Sequence, residues 1–219
     1  MAKKKVGLKV PTANELSKRY GDMIVSASDT KESGLWLPST FFMLNYTFGG
    51  GIPFGKILEV AGEESSGKSL IAYNFAYTTQ QLGGHVIWVD AEQAWMNSWA
   101  QENGVDPNGV TVIRDTRIEN IADALADVAI YWRSQLTHNE PILLVVDSIA
   151  AMDCADNIDS KMVDGKSEMG GRAKALYKFF RIRSELFYKL GITQIYINQL
   201  RTALNVGFGK DNTCLHYDT

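Results

Sequence analysis

The chain has 219 residues, about the size of one domain with a small appendage. It is 45% hydrophobic and 21% charged, and 22 Lys plus Arg against 25 Asp plus Glu leave a net charge of −3. That is the composition of an ordinary globular protein, and it excludes a globally basic nucleic-acid coat or a polybasic membrane binder. No apolar run approaches the ~20 residues needed to span a bilayer. The basic N-terminus, "MAKKKVGLKV", lacks the apolar stretch of a secretory signal. Two cysteines, Cys154 and Cys214, form neither a disulfide framework nor a zinc spacing. The expectation is a cytoplasmic protein in a reducing compartment.

Along the chain, "TANELSKRYG" (Thr12 to Gly21) reads as a short helix closed by Gly21, and "SASDTKESG" as a loop. Pro38 and Ser39 then precede an apolar helical stretch that ends at three glycines, Gly49 to Gly51. From Lys56 onward, β-branched apolar runs alternate with helical stretches. "KILEVAG", "HVIWVD", "VTVIRD", "PILLVVD" and "ITQIYIN" read as strands; Lys68–Leu82, Gln93–Glu102, Ile118–Leu136 and Arg172–Leu190 read as helices. Continuous apolar runs mark strands covered on both faces, so the prediction is an α/β fold with a mostly parallel sheet flanked by helices. Charge is uneven: Ser160–Lys189 carries eight Lys/Arg against three Asp/Glu, and Val89–Val128 carries eight Asp/Glu against two Arg. The basic stretch is either a solvated helix face or a local phosphate-binding strip.

Gly62-Glu63-Glu64-Ser65-Ser66-Gly67-Lys68-Ser69 satisfies G-x-x-x-x-G-K-S/T between a strand and a helix. Such a loop turns successive backbone N–H groups inward as an anion nest at a helix N-terminus. Lys68 adds charge toward the β- and γ-phosphates of ATP, and the Ser69 hydroxyl can ligate Mg²⁺. "PILLVVDSIA" puts Asp147 at the C-terminal edge of a buried strand, where it can hold the Mg²⁺ through water. Many ATPases have a Glu directly after that Asp; here Ser148 follows. Glu92, just past "HVIWVD", is the candidate water-activating base because its strand should neighbour that of Asp147. Asp90 is the competing choice, with a structural hydrogen-bonding role as its alternative.

"GGGIPFGKILEVAGEESSGKS", "VIWVDAEQAW", "ILLVVDSIAAM", "EMGGRAKAL" and "IYINQLRTALNVGFG" occur in the order and spacing of bacterial and bacteriophage RecA-type recombinases. The chain resembles that family from about Leu44 to Gly209. The resemblance implies an ATPase that forms a helical filament on single-stranded DNA and exchanges strands with a homologous duplex in recombination and repair. It also implies Gln199 as the γ-phosphate sensor, coupled to the loop that follows it, and Trp99 as the aromatic that stacks on adenine. Two DNA-contacting loops are implied, carrying Lys166, Gly170, Gly171, Arg172 and Lys174 in the first, and Arg201 and Phe208 in the second. Plainer roles remain open: a strand-capping amide for Gln199, core packing for Trp99 and Phe208. Met96 stands where the bacterial proteins usually have an Asp that reads the adenine amino group.

After "NVGFGKDN" the resemblance stops, and "TCLHYDT" matches nothing in the family pattern. The expectations are therefore a core spanning 41–219 that is cut within the second DNA-binding loop, lacking its C-terminal strands, and an "ITQIYIN" strand left with an open edge. Residues 1–40 form an N-terminal segment in which Thr12–Tyr20 is the candidate for docking on a neighbouring subunit. Two alternatives share this core: a helicase-like or regulatory ATPase, and an inactive fragment of a recombinase.

Overall fold

The computed structural model describes residues 12–26, 34–159, 170–202 and 215–217. The chain divides into a unit running to Gly34 and a unit from Leu35 onward. In the first, helix α1 (Ala13–Tyr20) opens on a capping box. The Glu15 amide donates to the Thr12 hydroxyl at 3.3 Å, and the Thr12 amide donates to the Glu15 carboxylate at 3.0 Å. Gly21 ends the helix, as its position in the sequence predicts.

The second unit runs β1 (Trp36–Leu37), α2 (Phe42–Phe48), β2 (Ile52–Pro53), β3 (Ile57–Gly62), α3 (Lys68–Gln81), β4 (His85–Asp90) and α4 (Asn97–Glu102). It continues through β5 (Val110–Ile113), α5 (Ile118–Gln135), β6 (Ile142–Asp147), α6 (Ala155–Asp159), α7 (Gly171–Lys189), β7 (Ile192–Thr202) and β8 (Leu215–Tyr217). β1 and β2 form a small antiparallel pair. The main sheet has the order β3-β7-β6-β4-β5, all parallel, and β8 pairs antiparallel with the far end of β7. This is the α/β fold predicted, with helices on both faces. No helix among the described residues is long and apolar enough to cross a membrane.

Alternation along the strands feeds two cores. Ile87, Val89, Leu144, Val146 and Tyr196 face α5 and α7, where they meet Ile121, Leu125, Leu176 and Phe179. Val86, Trp88, Leu143, Val145, Ile195 and Ile197 face α3, where they meet Ala72, Tyr73, Phe75 and Ala76. β6, flanked by β4 and β7, has its apolar run buried from Ile142 to Val146.

Two expectations need correction. β7 is not an edge: β3 and β6 flank it, and among the described residues the sheet ends at β5 and at β3, where Ile57 is half exposed. Residues near Gln93 do not begin a helix. Gln93 has φ 56°, and the Asp90 carboxylate takes the amides of Ala94 and Trp95, so α4 starts only at Asn97. α2 does follow Pro38 and Ser39, with Phe41 as its N-cap. The Ser39 hydroxyl accepts from the Phe41 amide at 2.9 Å and donates to Asn74 of α3 at 2.7 Å, tying the start of α2 to the core.

At the opposite end of β4 from the phosphate loop, His85 is buried and stacks on Trp132 with ring centroids 3.5 Å apart. The Trp132 indole donates to Thr111 Oγ1 at 3.2 Å, and His85 Nε2 lies 2.8 Å from the same oxygen. That hydroxyl can then donate to an unprotonated Nε2. Burial pushes the His85 pKa down to about 4. The unfolded chain, with an ordinary His pKa of about 6.5, therefore takes up the proton first as the pH falls. The His85 contribution to stability is complete above about pH 6.5 and lost progressively toward about pH 4, by roughly 3 kcal/mol at most. Urea unfolding of the chain and of His85→Gln at about pH 7 and about pH 5 measures it. The expected result is a smaller loss of stability on acidification in the variant.

Candidate active site

The phosphate loop needs its glycines for geometric reasons. Gly67, at φ 87°, is the N-cap of α3 in the left-handed region, and a Cβ on Gly62 would sit 2.8 Å from Ser66 Oγ. The loop between them, Glu63 to Ser66, is exposed, and the 14-residue helix α3 begins at Lys68. The Lys68 side chain is buried, and its Nζ donates to the Glu63 carbonyl at 2.6 Å, closing the loop on itself. Ser69 Oγ donates to Asp147 Oδ2 at 2.7 Å. The hydroxyl at the start of α3 and the carboxylate at the end of β6 are thus two hard oxygen donors converging on one point, which fits Mg²⁺. Burial, followed by the neighbouring Glu92 and Asp90 carboxylates, raises the Asp147 pKa against the opposing pull of the Ser69 hydrogen bond and Lys68. Tyr73, one turn into α3, is pushed up to about 12 by burial and by the charges of Asp147 and Asp90.

The register between β4 and β6 sets Asp90 opposite Asp147, and the Asp147 carbonyl accepts the amides of Ala91 and Glu92 at 3.0 and 3.4 Å. Glu92 thereby leaves the sheet beside Asp147. Its Oε1 accepts from Gln199 Nε2 at 2.8 Å and from the Ser148 hydroxyl. Gln199 lies on β7 opposite Gly62, the first residue of the phosphate loop. The ends of β3, β4, β6 and β7 therefore bring Gly62 to Ser69, Glu92, Asp147 and Gln199 to one edge of the sheet.

Asp90 is fully engaged. Its Oδ1 takes the Ala94 amide at 2.8 Å, both oxygens lie 3.2–3.3 Å from the Trp95 amide, and Arg114 Nε is 3.3 Å from Oδ2. It ties down the 91–95 turn that carries Glu92. Trp99 on α4 and Met96 before it are both exposed. Ser148, whose side chain is fully buried, carries no sequence signal beyond standing where many ATPases have a Glu. Arg114 and Tyr73 likewise fall in no motif.

The residues assigned to DNA are less gathered. Gly170, at φ 96°, caps α7, and Gly171 is its first residue. A Cβ on Gly171 would approach Cys154 Sγ to 3.1 Å. Arg172 turns inward: one Nη donates to the Ile149 carbonyl at 3.2 Å, and its buried Nε makes no hydrogen bond among the described residues. Lys174 is exposed. Arg201 falls on the end of β7, opposite His216 of β8. Lys166 and Phe208 lie outside the described residues.

The family described as RecA N-terminal domain matches residues 10–216, extending beyond Leu44–Gly209 at both ends. Among curated proteins, Protein RecA of Mycoplasma mycoides is 31% identical over 202 residues, 91% of this chain and 56% of that protein. Protein RecA of Corynebacterium urealyticum is 33% identical over 178 residues, 81% of this chain and 46% of that protein. For Protein RecA of Clostridium beijerinckii the identity is 36% over 167 residues, 75% of this chain and 43% of that protein. The chain spans about half the length of these relatives.

The partners of Asp90 lead to a contrast in stability. Asp90→Ala strands two backbone amides at a site where the carboxylate is only 2% exposed, and should cost about 3 kcal/mol. Arg114, 59% exposed, should cost less than about 1 kcal/mol when replaced by Ala. Denaturant midpoints of the two variants measure both, and equal losses would contradict the assignment of the turn to Asp90.

Proposed function

Because the chain belongs to the RecA family, we propose that it is an ATPase stimulated by single-stranded DNA that pairs and exchanges homologous strands in recombination and repair. The observation that carries this reading is the 2.8 Å contact between Gln199 and Glu92. It joins the strand that leads toward the second assigned DNA loop to the carboxylate best placed to act on water.

In this reading the backbone of Gly62, Glu63, Glu64, Ser65, Ser66 and Gly67 wraps the triphosphate, with its N–H groups toward the oxygens. Lys68 leaves the Glu63 carbonyl for the β- and γ-phosphates. Trp99 offers its exposed ring to the base. Ser69 and Asp147 would hold Mg²⁺, which supplies charge neutralisation for the phosphate oxygens when bound. Glu92 orients the attacking water and accepts its proton. Gln199 has a second amide hydrogen beyond the one given to Glu92, and that hydrogen can read the γ-phosphate. Motion of Gln199 moves the backbone of β7 beyond it, so nucleotide state and DNA affinity become linked. Lys166, Gly170, Gly171, Arg172, Lys174 and Arg201 then meet phosphates, and Phe208 stacks between bases. For Arg172 this requires release from the Ile149 carbonyl. Assembly as a filament belongs to the same proposal.

The test is ATP hydrolysis by the 219-residue chain with and without single-stranded DNA. Turnover should rise with DNA, fall to background in Lys68→Ala, and drop by about 100-fold or more in Glu92→Gln. Turnover that is indifferent to DNA would point instead to a helicase-like or regulatory ATPase. Turnover at the Lys68→Ala background would identify an inactive fragment.

A further inference from the structure

We infer that Ser148 is a positioning residue for Glu92, holding one carboxylate oxygen so that the other faces the attacking water; this rests on the function proposed above for Glu92. Glu92 is an exposed side chain at a turn, and without restraint it would sample several rotamers. Two donors act on its Oε1, Ser148 Oγ and Gln199 Nε2, while Oε2 accepts no hydrogen bond among the described residues. One oxygen is therefore anchored and the other left open for a ligand.

The two donors are not equivalent. Ser148 immediately follows the buried strand β6 and is 0% exposed, so its hydroxyl has no route to exchange Glu92 for solvent. The residue after it enters a tight turn, Ile149–Ala151, closed by the Ala151 amide on the Ser148 carbonyl at 3.2 Å. Gln199 is half-buried, with a longer side chain, on a strand that runs on to Thr202. Ser148 is the fixed anchor and Gln199 the movable one. When Gln199 shifts toward a γ-phosphate, the Ser148 bond keeps the Glu92 carboxylate where it is. A Glu placed directly after the strand Asp would point its own carboxylate from this position; here a serine at that position holds a carboxylate supplied by the neighbouring strand.

The experiment compares Ser148→Ala, Ser148→Cys, Glu92→Gln and the Ser148→Ala/Glu92→Gln pair in the full chain, measuring ATP turnover and nucleotide affinity. Ser148→Ala should lower kcat about tenfold or more, with KM and nucleotide Kd changed less than about twofold. Ser148→Cys preserves volume but donates weakly, and should be impaired about as much as Ala; recovery in Cys would mean packing rather than the hydrogen bond and would overturn the inference. In the Glu92→Gln background, Ser148→Ala should slow the residual rate by less than about twofold, whereas a further full loss would show that it does not act through Glu92. A double-mutant cycle on urea unfolding reads the same contact without turnover. With Glu92→Ala as the second variant, since Gln would keep an acceptor oxygen, about fivefold or more coupling in the unfolding equilibrium constant is expected, and additive effects overturn the contact. Activity lost in Glu92→Gln but kept in Ser148→Ala overturns this inference alone. Activity kept in Glu92→Gln overturns the role given to Glu92 and this inference with it, while stimulation of the unaltered chain by DNA tests the proposed function separately.

Discussion

The register that sets Asp90 opposite Asp147 governs the whole edge of the sheet where the phosphate loop lies. Parallel strands with both faces covered have no freedom to slip, because a shift of one residue would turn every apolar side chain of β4 and β6 to the wrong core. The buried runs from Val86 to Val89 and from Ile142 to Val146 therefore determine where the polar residues emerge. Asp147 meets Ser69, Glu92 emerges beside Ser148, and Gln199 comes level with Gly62 because hydrophobic packing far below them permits nothing else.

That convergence has an electrostatic cost. Asp90, Glu92 and Asp147 crowd one end of the sheet, and burial together with two like charges raises the Asp147 pKa. The protein offsets each carboxylate differently. Asp90 receives backbone amides and Arg114, Asp147 receives a hydroxyl and the field of Lys68, and Glu92 receives a hydroxyl and an amide. Asp147, buried and paired with the Ser69 hydroxyl at the start of α3, offers the hard oxygen donors that a divalent cation prefers.

Much of this was legible in the sequence because it is local. The spacing from Gly62 to Ser69 and the β-branched runs that end in Asp90 and Asp147 encode loop and strands within a few residues. The features that escaped depend on side chains reaching across the chain. The late start of α4 comes from the Asp90 carboxylate capturing amides four and five residues on, in competition with a helix pattern that looked continuous from Gln93. The interior place of β7 is a matter of strand order, which no single strand's composition carries. Ser148 is too common a residue type to stand out until Glu92 is seen against it. α6, five residues long, has too few turns for a periodic signal.

The aromatic packing beneath the site has a spectroscopic consequence. Trp88 sits in the middle of β4 with Trp95 edge-on at 5.1 Å and Tyr73 stacked at 4.6 Å. Trp95 belongs to the turn held by Asp90, and its indole donates to Asn97 at 2.9 Å. Rings this close share their electronic transitions, so the near-ultraviolet circular dichroism of the chain carries a coupled signal whose sign and size depend on the angle between Trp88 and Trp95. Trp88 is locked in the sheet, which leaves the turn as the variable partner. A displacement of the segment bearing Glu92 is therefore written into an intrinsic optical signal, without any label having to be attached.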